Sequence, residues 1–385
     1  MTKDVVHTVE GLVDSIIEAR ARTEALRRLP EEIVEGLVDG QLFRLAVPQA
    51  NGGPEVDPLT CLDVYERLAA AEPSVAWAVW NSSLPCLFSR FLDEGTRQEI
   101  FGEHDGKYAS STRPTGTAAR QNGSFRVSGR WSLVSGCMHA DWLGLMCLVE
   151  EDGEVEMIEP GAPHMRMAFV PTGSVEILDT WNVGGLRGTG SHDVVAEGVD
   201  VPASRTFSPM EPSTLDAPIG RVPIAATMAA GHASICVGMT ASALDAVTEL
   251  GRSKVSPDPA PSLPDRASNQ FVVGSGRARL SAHRLELRRA LSAVWEAAEK
   301  SEGPQPEAVA DLWAAAVVCA RECRRLVEEL YEVAGTPALY VDSPLERHHR
   351  DIHAAMQHII VQRFWLEDVG RIRFGMDPGN PLFFL

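Results

Sequence analysis

The sequence predicts a mainly α fold with a small central β domain, on three observations. Apolar residues recur at helical spacing over residues 5–105 and again over 222–373. Between those stretches, from about Tyr108, the pattern changes to short apolar runs divided by Gly-containing turn pairs. With 385 residues, 44% of them hydrophobic, the chain has the apolar material for a large core. The expected division is an N-terminal helical domain at 1–108, a β-barrel or sandwich domain at 109–210 and a C-terminal four-helix bundle at 211–385.

Each element has its own local reason. Thr8 stands where its side-chain oxygen can cap a helix over 9–29. Pro30-Glu31-Glu32 opens the next, with proline fixing φ and the acids favouring the positive helix end. Ile33, Leu37 and Leu42-Phe43 supply its apolar face, Gly52-Gly53-Pro54 breaks the chain, and helical spacing resumes over 59–71 and 75–92. In the middle part, Asn122-Gly123 and Ser128-Gly129 read as turns around Phe125 and Val127, and Glu151-Asp152-Gly153 as another before Val155 and Met157. Val175, Ile177 and Leu178, then Val194, Val195 and Val199, read as strands. Four long helices follow at 222–254, 267–300, 306–333 and 344–373, with the proline-rich stretch 256–264 as a loop.

The formal net charge of −18 argues against nucleic acid or an anionic membrane surface as partner. Seven cysteines without a Cys-x-x-Cys pair imply no disulfide framework, and Cys319 and Cys323 suit small buried positions on a helix. Residues 224–244 carry no charge over a span long enough to cross a membrane. Their Ala, Gly, Ser and Thr content suits close helix packing in a bundle or a subunit interface instead. The N-terminal stretch has no apolar leader, so a reduced, cytoplasmic protein is expected. His349 and His353, four apart, have metal-ligand spacing, but no His-Glu-x-x-His pattern accompanies them and no metal is expected.

Four segments carry chemistry. Residues 109–118 read ASSTRPTGTA; 129–136 read GRWSLVSG, followed by Ala140-Asp141-Trp142. Trp181 precedes GLRGTGSHDV at 185–194, and 343–362 read SPLERHHRDIHAAMQHIIVQ, with Arg350-Asp351 flanked by His349, His353 and His358. In this order they resemble the flavin loop, second flavin strand, Gly-Leu-Arg-Gly-Thr segment and Arg-Asp helix of the acyl-CoA dehydrogenase superfamily. Trp-x-x-x-Ser-Gly and Gly-Leu-Arg-Gly-Thr-Gly-Ser-x-Asp-Val are similar to its two-component, reduced-flavin-dependent (class D) monooxygenases. Dehydrogenases carry a catalytic Glu about two turns beyond the Arg-Asp pair; here that slot holds His358-Ile359.

The resemblance implies an acyl-CoA dehydrogenase-like homotetramer. It would receive reduced FAD or FMN from a separate reductase, form a C4a-hydroperoxyflavin with O2, and transfer one oxygen atom to an electron-rich aromatic, indole-like or amine substrate. It assigns Ser135 to the flavin N5, and Ser111 and Thr112 to the ring's polar edge. Trp131 would lie against the isoalloxazine, with a place in the β-domain core as the competing reading. Arg187 and Ser191 would meet the ribityl phosphate. His358 would be the base or hydrogen-bond partner at the substrate. The family's second histidine, after an Ala-Trp pair, is replaced near Pro85, so Trp77, Asn81, Cys86 and His353 are the candidate substrate contacts. No Gly-x-Gly-x-x-Gly follows a strand, which argues against direct NAD(P)H use. Two rival readings stand beside this one: an acyl-CoA dehydrogenase-type flavin oxidoreductase, and a non-catalytic member of the fold acting in an assembly.

Overall fold

Capping side chains start several of the helices. The computed structural model describes residues 2–253, 262–303 and 305–385. Five helices come first: α1 (Thr2–Leu26), α2 (Glu31–Asp39), α3 (Pro58–Ala71), α4 (Pro73–Phe88) and α5 (Glu94–Phe101). Asp57 and Asp93 each accept the backbone N–H three residues on, opening α3 and α5, and Glu72 accepts that of Ser74 at the start of α4. Thr8 does not cap α1. The buried apolar stripe of Val5, Val9 and Ile16 carries the helix upstream of it, so packing overrides the local cap signal.

The strands are β1 (Tyr108–Gln121), β2 (Ser124–Val134), β3 (Trp142–Glu151), β4 (Glu154–Val155), β5 (Met157–Glu159), β6 (Ala162–Pro163), β7 (Met165–Pro171), β8 (Glu176–Leu178), β9 (His192–Pro202) and β10 (Thr206–Phe207). Their main sheet runs β10-β7-β3-β1-β2-β9-β8, antiparallel except for the parallel pair β1–β3. Asn122-Gly123 and Asp152-Gly153 are turns, with both glycines at positive φ. Ser128-Gly129 is not a turn but lies within β2, where Gly129 pairs with Gly116 on β1. The pair is glycine because the Trp131 ring fills the space above it: a Cβ on Gly116 would lie 2.0 Å from Trp131 Cζ2. The segment 109–118, expected as a loop, belongs to strand β1; only the register break between Ser111 and Gly116 leaves the ladder, and Thr112–Thr115 are exposed there.

Five helices follow: α6 (Ile224–Ser253), α7 (Ala267–Glu299), α8 (Pro306–Ala334), α9 (Pro344–Ala355) and α10 (Phe364–Arg373). Of the proline-rich loop, residues 256–261 lie outside the described residues. The small-residue helix α6 is long and apolar enough to cross a membrane, but 89% of its most apolar window is buried in protein. Its glycines let neighbours approach: a Cβ on Gly238 would meet the Glu66 carbonyl at 2.2 Å, and one on Gly231 would meet Trp80 at 2.7 Å. One core joins the N-terminal helices to the C-terminal ones, while a second, containing Trp131, Val134 and Leu145, lies within the sheet.

The expected fourth long helix at 344–373 is broken. After α9 the chain turns at Met356-Gln357, His358 is extended (φ −66, ψ 136), and a 3-10 turn at Ile359–Val361 precedes α10. The break is held by side chains. Gln362 Nε2 donates to the Met356 and His358 carbonyls, and Trp365 Nε1 to that of Ile359, while the Trp365 ring stacks on Trp313 at 4.0 Å.

Gly116→Ala is expected to lower stability by about 1–3 kcal/mol, since Trp131 and the β2 backbone leave no room. Gly11→Ala, a helical site with nothing within 4 Å, should be neutral or slightly stabilising. Denaturant midpoints of the two variants test this; a Gly116→Ala midpoint equal to wild type refutes the packing argument.

Candidate active site

Helix α4 brings Trp77 and Trp80, three residues apart, to the same side, where they meet histidines from two other elements. His232 rises from α6 and His358 hangs from the break after α9. Ring centroids lie 4.9 Å apart for Trp77–Trp80, 5.6 Å for Trp77–His358, 5.4 Å for Trp80–His358 and 5.9 Å for His232–His358. Edge-on contacts, 72° and 76° for His358 against the two indoles, hold the imidazole in an aromatic box.

Hydrogen bonds decide what these rings can offer. His358 Nδ1 accepts the Ile360 backbone N–H at 3.2 Å, so the neutral ring carries its proton on Nε2. His232 Nε2 lies 2.9 Å from the Ala355 carbonyl, which can only accept, so its proton is also on Nε2. Burial pulls the His358 pKa down to about 3, helped by His232 and by the positive charge of Arg113; burial takes His232 to about 4. Both are neutral at physiological pH. His358 therefore presents an N–H donor, and could act as a base only by giving up its backbone bond.

Ser135 lies at the indole nitrogen of Trp77. Trp77 Nε1 donates to Ser135 Oγ at 3.1 Å, Ser135 Oγ meets Ser191 Oγ at 2.7 Å, Ser191 meets Thr189 Oγ1 at 2.7 Å, and Thr189 Oγ1 donates to the Leu186 carbonyl at 2.9 Å. Backbone geometry gathers these groups: Leu133, Leu186, Gly136 and Gly190 all take left-handed φ values, and Gly136 N–H donates to the Thr189 carbonyl at 3.0 Å.

The Arg350-Asp351 pair of α9 fastens the 184–190 segment. Asp351 Oδ1 accepts the Leu186 N–H at 2.6 Å and Arg350 Nη1 donates to the Gly184 carbonyl at 2.6 Å. Arg350 also binds Glu24 and Glu346. Burial, and then the nearby Glu72 carboxylate, push the Asp351 carboxyl up to about 8.

Trp77 thus touches both Ser135 and His358. Four of the other expected contacts, Trp131, Ser191, Cys86 and His353, do not join them. Trp131 has no exposed surface and spends its Nε1–H on the Met146 carbonyl at 2.7 Å, so it belongs to the sheet core and cannot lie against a flavin ring. Ser191 has its hydroxyl engaged on both sides, by Ser135 and Thr189, which leaves it as a link in the chain rather than a phosphate contact. Cys86 is sealed in the helical core, bonding the Ser82 carbonyl. His353 turns away to Glu328 on α8 at 3.0 Å and packs on His349. Asn81 is partly exposed and donates to the Trp77 carbonyl. Arg187 is partly exposed and donates to the Val183 carbonyl at 2.9 Å. Ser111 is buried on β1 and Thr112 exposed beside it. Sequence reasoning missed Trp80, His232 and Thr189; a Trp three residues from Trp77 and a lone histidine in the charge-free stretch 224–244 were the available signals.

The residues present suit a flavin. Ser135 keeps an unclaimed lone pair, and the buried Ser110 hydroxyl on β1 has no protein partner.

A family model described as the acyl-CoA dehydrogenase N-terminal domain matches residues 2–101, and one described as the C-terminal domain matches residues 230–363. The chain belongs to the acyl-CoA dehydrogenase family. Relatives within this family include an indole-3-acetate monooxygenase of Acinetobacter baumannii, 28% identical over 90% of this chain and 88% of its own length. HsaA of Mycobacterium tuberculosis, the oxygenase subunit of a flavin-dependent monooxygenase, is 27% identical over 99% and 98%. Among solved structures, XiaF from Streptomyces sp. in complex with FADH2 and glycerol superposes with a TM-score of 0.91, at 26% identity over 99% of this chain and 97% of XiaF. The first two of these are monooxygenases, in keeping with a histidine where a dehydrogenase needs a carboxylate.

The raised Asp351 pKa makes stability depend on pH in a defined direction. The folded protein keeps a proton that an unfolded Asp releases near pH 4. That contribution is whole below about pH 4 and is lost as pH rises to about 8. His232 and His358 act oppositely: their contribution is whole above about pH 6.5 and is lost on acidification. Asp351→Asn keeps an acceptor for Leu186 but has no proton to lose. Its melting temperature should fall less than that of wild type between about pH 5 and pH 9; parallel profiles refute the assignment.

Proposed function

We propose that this family member is the oxygenase component of a two-component flavin-dependent monooxygenase, acting on an electron-rich, aromatic or indole-like small molecule. The observation that carries the reading is the meeting, around Trp77, of a hydroxyl that offers a lone pair and an imidazole that offers a proton. Reduced FAD or FMN, delivered by a separate reductase, supplies the two electrons that activate O2; one oxygen atom enters the substrate and the other leaves as water.

The chain's own groups divide the remaining work. Ser135 takes a hydrogen bond from the flavin's N5 side. His358 Nε2–H donates to the oxygen or nitrogen of the bound substrate, and its low basicity keeps it neutral there. The Trp77 indole, with Trp80 buried behind it, excludes water. We assign Ser111 and Thr112 to the flavin's polar edge, Arg187 to its ribityl phosphate and Asn81 to the substrate. Exposed apolar side chains on α7 (Phe271 and Leu285) and near the C-terminal helices (Leu339, Tyr340, Val341 and Phe374) support assembly into a homotetramer. The protein is assigned to the cytoplasm, where a flavin reductase and its reductant are at hand.

His358→Ala is expected to bind reduced flavin as wild type does, to lose product formation by about 10²-fold or more, and to release H2O2 instead. His353→Ala should keep its coupling, since that ring faces Glu328. Product and H2O2 per flavin consumed are the measurements; full coupling in His358→Ala overturns its role. Light scattering at micromolar concentration is expected to give the mass of four chains, and a monomer rejects the tetramer.

A further inference from the structure

The hydroxyl chain beside Trp77 has a direction, because each member has a single proton to give. The Leu186 carbonyl can only accept, so the Thr189 proton is committed to it. Thr189 must then accept from Ser191, which spends the Ser191 proton, and Ser191 must accept from Ser135, which spends the Ser135 proton. Trp77 Nε1, which can only donate, fills one lone pair of Ser135 from the other side. The end of the chain is firmly set. The Leu186 carbonyl also accepts the Thr189 backbone N–H at 3.2 Å, the Trp181 Nε1–H is shared between it and the nearer Arg187 carbonyl, and the Leu186 N–H is fixed by Asp351. All three hydroxyl residues are nearly sealed from solvent, at 6%, 3% and 2% exposure for Ser135, Ser191 and Thr189, so water does not readily reverse the order. What remains on Ser135 is one lone pair and no free proton.

We propose that Thr189 and Ser191 are positioning residues that lock the Ser135 hydroxyl as an acceptor, and that this polarity makes the site select reduced over oxidised flavin. The argument rests on the assignment of Ser135 to the flavin N5. A reduced flavin carries N5–H and finds its acceptor. An oxidised flavin presents a lone pair at N5, which faces the lone pair of Ser135 and gains nothing. A serine free to rotate would serve both forms and discriminate between neither. Neither Thr189 nor Ser191 touches the ring in this scheme; each acts through Ser135.

The test is a set of anaerobic titrations with FMN and FAD, oxidised and dithionite-reduced, read by flavin fluorescence and absorbance. Wild type should bind the reduced forms more tightly. In Thr189→Val, Ser191 loses its acceptor and can donate to Ser135, which frees the Ser135 proton for an oxidised N5. The ratio of oxidised to reduced Kd should shrink by about five- to tenfold, the worth of one net hydrogen bond, mainly through tighter oxidised flavin. Ser191→Ala should shrink it likewise, and Thr189→Ser should restore the wild-type ratio. A measurement on wild type alone guards against unfolded variants. Oxidised 5-deazaflavin, with C–H in place of the N5 lone pair, should bind several-fold more tightly than oxidised flavin. Equal binding of the two, or a wild-type ratio in both Thr189→Val and Ser191→Ala, overturns the proposal and leaves the flavin assignment intact. Failure of wild type to bind any flavin overturns that assignment itself.

Discussion

The bond between the Asp351 carboxyl and the Leu186 N–H, spanning 165 residues of chain, is the contact on which both halves of the site depend. On one side it holds the residue whose carbonyl ends the hydroxyl chain, and so reaches Ser135. On the other it fixes α9, whose last turn supplies the Ala355 carbonyl for His232 and, just beyond, the extended residue that carries His358. The close approach has a steric signature: a Cβ on Gly185 would lie 2.4 Å from the Arg350 carbonyl oxygen. It also has an electrostatic one. Asp351 lies near the buried Glu72 and is held largely as an acid, while the Arg350 guanidinium engages Glu24 and Glu346. Placing a neutral carboxyl there avoids the desolvation cost of a second buried charge.

The layered order of helices, sheet and helices was legible because it rests on spacing, and spacing survives folding. The errors came where tertiary contact overrode a local signal. Ser128-Gly129 looks like a turn because glycine usually marks one, yet here glycine makes room for Trp131 across the strand pair. The stretch 344–373 keeps helical spacing across its break because Trp365 and Gln362 satisfy the freed carbonyls from the side. Nothing in periodicity distinguishes that from a continuous helix.

The site was legible in part, for a related reason. Ser135, Trp77 and His358 lie in segments whose wording resembles a known family, so they could be named before any geometry was known. Ser191 and Trp131 lie in the same wording but serve it from behind, one as a link in a hydrogen-bond chain and one as packing. A motif records which residues matter and not which of them face the ligand. His232 and Trp80 belong to no motif and enter only because α4 and α6 pack closely enough to bring four rings together.

The core shared by the first helices and the last ones bears on how the chain reaches its fold. Trp80 packs on His358, and Arg288 of α7 pairs with Asp63 of α3, so both contacts wait for hundreds of residues to be made. The sheet, with a core of its own, has its partners within about a hundred residues. During synthesis the sheet can therefore form while the N-terminal helices still lack their partners and expose apolar faces. The same wiring that joins the two ends of the chain in one site leaves apolar faces of its first hundred residues uncovered until the last helices emerge.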